Sequence, residues 1–368
     1  MNRTRGVLAA GLLCLLIPQD ARAGRVGVLG DSLSDEYAEG SFGAYAETWT
    51  EQLVIHGGAR LGRTAADAGQ PGGTWGEPRR TGYAFNWARW DADSGSLLAG
   101  GQHTGLANQI PSKGIEFAVV EIGSNDFNPT GAAYFNIYFG LWSQNRINTY
   151  INGILANITT AIDTLAPTGV NIALCNVLDF GVTPTVKLLF SDPNRRQRVA
   201  NAIMQLNAGI DQLAQTRGLV LVDLYAASLA VFGTHANPNN ILLIGNVPID
   251  LNGSDTPSGG NPTAGFVDDG AHPNTTLQGV FSNLIATALN LGFGGFGAGL
   301  PLFSEAEILA HRGLAYGGAD TLFAQIGSYS DYFRDYAGAP VPGLSLTGAA
   351  LLALLLIGGA AFRLGART

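Results

Sequence analysis

Three short polar clusters stand where apolar runs of the chain stop. "VGVLGDSLSD" (26–35) runs into Gly30-Asp31-Ser32, "VVEIGSND" (119–126) into Gly123-Ser124-Asn125-Asp126, and "VDDGAHPN" sets Asp269 three residues before His272. A serine hydroxyl becomes a nucleophile when an imidazole takes its proton, and a carboxylate beside that imidazole holds its tautomer and stabilises its charged form. Ser32, His272 and Asp269 are the residue types for such acyl transfer. Asn125 adds a side-chain N–H that can donate to an oxyanion, and Asp31 is placed to brace the turn that presents Ser32. Gly123 and Asp126 complete the second cluster. Each cluster also has a plainer use: Ser and Asp are common helix caps, while Gly, Asn and Asp are turn residues. Metal binding is the rival use of Asp269 and His272, but no second His or Cys lies at ligand spacing, so neither metal nor cofactor is expected. His56, His103, His235 and His311 have no acid at a comparable spacing beside a strand end and read as surface or packing residues.

These residues need elements that bring them to one place. Apolar runs at 26–29, 115–122, 170–177 and 219–222 have strand length, and helical patterns at 147–165, 194–217 and 275–291 alternate with them. That order predicts a parallel sheet covered on both faces. Within 194–217, Val199, Ile203, Leu206, Ile210 and Leu213 form a single apolar stripe. Parallel strands would deliver Ser32 and Asn125 to the same carboxyl edge, where open α/β sheets bind ligands. A helix starting directly after Ser32 would add an N-terminus that favours negative charge. Stretches 57–82 and 233–270, rich in Gly, Pro, Asn and Asp, read as long loops. Short helical pieces over 303–336 either pack on the domain or form a stalk.

Composition narrows the class. Of 368 residues, 46% are hydrophobic and 13% charged, and the net charge of −8 excludes a basic nucleic-acid binder. Residues 1–23 have the layout of a secretory signal: Arg3 and Arg5, an apolar run, then Ala21-Arg22-Ala23, so the mature chain is expected to begin near Gly24. Cys14 falls in that leader and leaves Cys175 without a disulfide partner; its apolar surroundings suit an inert buried thiol. At the other end, residues 344–362 carry no charge over a length that spans a bilayer, and Arg363 and Arg367 follow. The 341–368 tail, with "GAPVPGLSL" at its start, resembles a PEP-CTERM sorting signal, without the glutamate between the prolines. A plain anchor and replacement by a lipid anchor stay open.

In this order, Gly30-Asp31-Ser32-Leu33, Gly123 to Asp126 and Asp269 to His272 resemble the GDSL or SGNH serine esterases and lipases, over roughly residues 25–291. The resemblance implies a three-layer α/β/α sandwich over 24–300 with a mainly parallel sheet of about five strands, and 301–340 as spacer or peripheral helices. It implies an exported carboxylic ester hydrolase (lipase, esterase or carbohydrate deacetylase) that works through an acyl-enzyme, with an acyl lipid or acylated carbohydrate as substrate. Ser32 would be nucleophile, His272 base and Asp269 its orienter. The oxyanion hole would combine the Ser32 N–H, a glycine N–H and Asn125. The family's glycine block is altered: in "NWARWDADS" (86–94) Asp91 stands at the expected glycine. Its backbone N–H survives the exchange and Asp tolerates unusual φ, whereas a carboxylate facing the oxyanion would weaken catalysis. Gly95 or Gly100 would serve under a shifted alignment. Asp91 also motivates the alternative of a catalytically weakened surface binding or adhesion protein on a hydrolase scaffold. Trp75, Trp87 and Trp90 would either line a pocket or plug loops.

Overall fold

The computed structural model describes residues 23–338 except 78, 80 and 294–296. The leader and the 341–368 tail read from the sequence lie outside the described residues, Ala23 apart. Among the described residues no helix is long and apolar enough to cross a membrane.

Four β-rich runs form parallel strands in chain order: β1 (Val26–Gly30), β2 (Phe117–Glu121), β3 (Asn171–Cys175) and β4 (Val220–Val222). Side chains alternate across a strand, and here both faces are buried. Val26, Val28, Val119, Ala173 and Val222 face one core; Leu29, Ala118, Val120, Leu174 and Leu221 face the other. The first core is closed by α1 (Trp49–Ile55), α8 (Leu224–Phe232), α9 (Thr275–Leu291) and α10 (Glu305–His311). The second is closed by α3 (Gln102–Lys113), α5 (Gln144–Leu165) and α7 (Pro193–Arg217). Short helices α2 (Ser94–Ala99), α4 (Ala132–Tyr138) and α6 (Pro184–Leu189) fill the connections. Helix starts follow local chemistry: the Ser143, Asp192 and Asn274 side chains accept N–H groups of the first turns of α5, α7 and α9.

Three features differ from the sequence reading. No helix starts directly after Ser32; short 3-10 turns follow only at Tyr37–Glu39 and Ser41–Ala44. The Asp31 carbonyl accepts the Ser34 and Asp35 N–H groups, and then the Asp35 side chain takes the Glu36 N–H and ends the turn. The 233–270 stretch contains a second sheet of β5 (Ile241–Ile244), β6 (Val247–Ser254) and β7 (Ala264–Phe266). Gly245 and Asn246, both at φ near +60, form the tight turn of its hairpin. Lastly, the 57–82 stretch is not all free loop, because the Arg60 carbonyl accepts the Val26 N–H along the outer edge of β1.

Residues 303–335 pack on the domain. Phe303, Ile308, Leu309, Leu322 and Tyr332 are buried in the first core, and β8 (Phe333–Asp335) adds to β4 as an antiparallel fifth strand. The Glu305 carboxylate accepts N–H groups from Gly245, Thr321 and Leu322, tying this segment to the β5–β6 hairpin.

Candidate active site

Ser32 sits in the turn just past β1 and is 4% exposed. Its turn is drawn by Asp31, whose Oδ1 accepts the Leu33 N–H at 2.9 Å. In the turn between β7 and α9, Asp269 folds the chain back on itself: Oδ1 accepts the N–H groups of Ala271 (2.8 Å) and His272 (3.0 Å). This aims the imidazole. His272 Nε2 lies 2.7 Å from Ser32 Oγ, and His272 Nδ1 lies 2.5 Å from Asp269 Oδ2. Burial pushes the Asp269 carboxyl up, but the His272 ring and the two backbone donors outweigh it, and the group stays below its ordinary range. A carboxylate held ionised against an imidazole, itself against a hydroxyl, can withdraw the serine proton and return it to a leaving group.

Two residues not foreseen hold the His272 loop. The Tyr37 hydroxyl donates to the Pro273 carbonyl at 2.8 Å, and Gln278, on α9, reaches both the Leu33 carbonyl and the Tyr37 hydroxyl. Trp90 stacks on His272 with ring centroids 4.6 Å apart and planes 29° from parallel.

The second cluster closes on the "NWARWDADS" segment. Gly123 takes φ +116, and a Cβ there would meet Val177 at 2.8 Å, so the glycine serves both backbone and packing. Asn125 Nδ2 donates to the Ala92 carbonyl at 3.1 Å. Asp126 receives the Ser94 N–H and hydroxyl, each at 2.9 Å; burial lifts its carboxyl to about 6 against those two donors. Asp91 adopts φ +60, the left-handed conformation that glycine takes most readily. Gly95 lies inside α2 and Gly100 caps it at φ −74, so neither has such a backbone. Asp35 sets the approach to Asp91: its Oδ2 accepts the Trp90 N–H at 2.8 Å, and the Arg89 guanidinium lies 3.6 Å from its Oδ1.

Behind Ser32 lies a buried acid pair. Glu121, the last residue of β2, is paired in register with Gly30, next to Asp31. Its Oε2 accepts the Ser34 hydroxyl at 2.9 Å, and Ser34 Oγ in turn accepts the Trp49 indole N–H at 3.0 Å. Burial pushes Asp31 up to about 7, against the lowering by the Leu33 N–H and His272. Burial and the Asp31 charge hold Glu121 well above its ordinary range. Asp31 Oδ2 is buried with no hydrogen-bond partner among the described residues, so nothing at that atom offsets the cost of burying a charge there. The signal was present in the sequence: Glu121 stands between Val120 and Ile122, at the end of the apolar stretch that begins at Phe117.

The remaining residues singled out earlier lie elsewhere. His235 and Asp179 form a buried pair at 2.8 Å, and His56 meets Glu47 at 2.8 Å, so both histidines have acid partners supplied by the fold. Trp75 and Trp87 sandwich the Arg79 guanidinium at 4.8 Å each, away from His272, whereas Trp90 alone of the three borders the cleft beside it. The Cys175 thiol is buried in β3, where burial pushes its pKa up.

Residues 26–285 match the family model of the GDSL-like lipases/acylhydrolases. The chain belongs to this family. It is therefore a carboxylic ester hydrolase by family, and its sheet is the family's α/β architecture. Among solved structures, similar chains include a variant of an acetyl xylan esterase from Geobacillus stearothermophilus (14% identity, 73% of this chain and 96% of that chain, TM-score 0.40). Another is a putative acylhydrolase from Bacteroides fragilis (17% identity, 72% of this chain and 86% of that chain, TM-score 0.39). No curated protein matches the chain.

Proposed function

We propose that this GDSL-family chain is an exported serine esterase that cleaves carboxylic esters through an acyl-enzyme on Ser32. The supporting observation is the unbroken relay from Ser32 Oγ to His272 Nε2 (2.7 Å) and from His272 Nδ1 to Asp269 (2.5 Å). In the first half-reaction Ser32 Oγ bonds to the acyl carbon while its proton passes to His272 Nε2. The negative charge on the carbonyl oxygen is met by N–H groups of Ser32 and Asp91 and by Asn125 Nδ2. The C–O bond to the alcohol then breaks, and His272 returns the proton to the departing oxygen. Water repeats the sequence and frees the acid. Export rests on the 1–23 leader, and surface retention on the apolar 344–362 run.

The test is hydrolysis of p-nitrophenyl esters from acetate upward, beside Ser32→Ala, His272→Ala and Asp269→Asn. Turnover is expected in the parent chain, none above background in Ser32→Ala, and a loss on the order of 10³-fold or more in Asp269→Asn. Full activity in Ser32→Ala overturns the acyl-enzyme. N-terminal sequencing of the exported chain is expected to start at Gly24, and retention of an uncut leader in the cytoplasm overturns export.

A further inference from the structure

A cleft of about 670 Å³ is walled by residues 89–92 and by residues 35–41, and one of its walls, Trp90, is the indole that stacks on His272. Its lining is one-sided in chemistry. Asp35, Glu36, Glu39, Glu77 and Asp91 contribute carboxyl groups, against the guanidinium of Arg89, which Asp35 already pairs. Even with Glu36 neutral and Asp35 spent on Arg89, the carboxyl groups of Glu39, Glu77 and Asp91 remain among the described lining residues, with the buried Arg79 within electrostatic reach of Glu39.

A second feature, independent of the acids, points the same way. Gln102 lines the cleft, is 3% exposed, and its Oε1 has no hydrogen-bond donor. A buried amide oxygen without a donor costs about 1–3 kcal/mol, so the site calls for a ligand that donates. Trp90 supplies the third component. It is 39% exposed, lines the cleft, and touches His272. A hydrocarbon chain would have to strip water from these acids without replacing its hydrogen bonds. An anionic ligand would meet like charge. A ring bearing many hydroxyls, uncharged or carrying an ammonium, satisfies both the acceptors and the exposed indole face.

We propose that this cleft is the subsite for the alcohol half of the ester, that it takes a hydroxyl-rich sugar unit, neutral or amino-bearing, and that it discriminates against uronates. The proposal rests on the serine esterase reading above. Its test compares kcat/KM on an O-acetylated neutral glucan oligosaccharide and an O-acetylated galacturonan oligosaccharide of equal length, with p-nitrophenyl acetate as the ester that leaves the cleft empty. The neutral substrate is expected to lead by about tenfold or more at low ionic strength, with the gap narrowing as salt screens the acids. Glu39→Gln with Glu77→Gln should raise the galacturonan value about threefold or more. Gln102→Leu should lower the glucan value, and neither variant should move p-nitrophenyl acetate. Equal rates on both sugars with Ser32-dependent turnover of p-nitrophenyl acetate overturn the subsite. Absence of Ser32-dependent turnover overturns the esterase reading beneath it.

Discussion

Asp126 holds Ser94 by two hydrogen bonds, one from the Ser94 N–H and one from its hydroxyl, both 2.9 Å long. With Asn125 donating to the Ala92 carbonyl, this clasp binds the segment carrying Asp91 to the segment carrying Asn125. The two groups proposed above as oxyanion donors, from distant parts of the chain, are thereby held as one unit. Asp126→Ala strands a buried N–H, so it should cost about 1–3 kcal/mol of stability and lower kcat on the order of tenfold or more with little change in KM. Thermal melting and steady-state kinetics check this. An unchanged kcat in a folded variant would show that the clasp does not set the donors.

Asp91 occupies a conformation that a side chain makes costly. At φ +60 Asp91→Gly removes that strain and the carboxylate together. The variant is expected to hold stability within about 1 kcal/mol and to raise kcat/KM on acetyl esters, whereas Asp91→Val should destabilise because a β-branched residue resists positive φ. Lower activity in Asp91→Gly would mean that the carboxylate helps rather than hinders.

The acid pair behind Ser32 predicts a pH dependence of folding. Native Asp31 titrates near 7 and its ordinary value is 3.8, so between about 4 and 7 the folded chain keeps a proton that the unfolded chain has released. That contribution is full below about 4 and is lost as pH rises through 7. Glu121 is shifted the same way and adds to the slope. Urea melts of the parent chain should therefore show stability falling from pH 4.5 to 7.5, and Asp31→Asn should flatten that fall by ~1 kcal/mol or more. A parallel slope in the variant would place the proton elsewhere.

Truncation after residue 300 should fail. It removes the fifth strand and the side chains of Phe303, Ile308, Leu309, Leu322 and Tyr332, all buried against the first core. At about 1.5–3 kcal/mol for each large side chain, the loss matches or exceeds the whole stability of a typical domain, about 5–15 kcal/mol. Residues 23–338 should give a cooperative melt, and the shorter chain an insoluble or molten product. A cooperative melt of the shorter chain would show that the segment is dispensable.

Much of the scaffold was legible because it rests on short-range patterns. The four parallel strands and the three long helices were read from nearly continuous apolar runs, from helical patterning and, within 194–217, from a 3.6-residue stripe. The β5–β6 hairpin was legible in principle, as "ILLI" and "VPIDL" flank Gly245-Asn246, but the Gly, Pro and Asn around it masked the alternation. A helix directly after Ser32, which would have put the serine at a helix N-terminus, is absent; there Asp35 accepts the Glu36 and Trp90 N–H groups and Glu36 accepts that of Tyr83.

By itself the sequence determined which residue types could do chemistry and that Ser32 and Asn125 leave strands at one edge, because strand order and local turn preferences are encoded in neighbouring residues. Only the tertiary structure decided that His272 reaches Ser32 across 240 positions, that Asp31 and Glu121 share a buried corner, that Trp90 rather than Trp75 or Trp87 borders His272, and that residues 303–335 belong to the core. The reason is that a side chain's partner across the fold depends on how whole layers pack and how loops close over long separations, and no short-range pattern carries that distance.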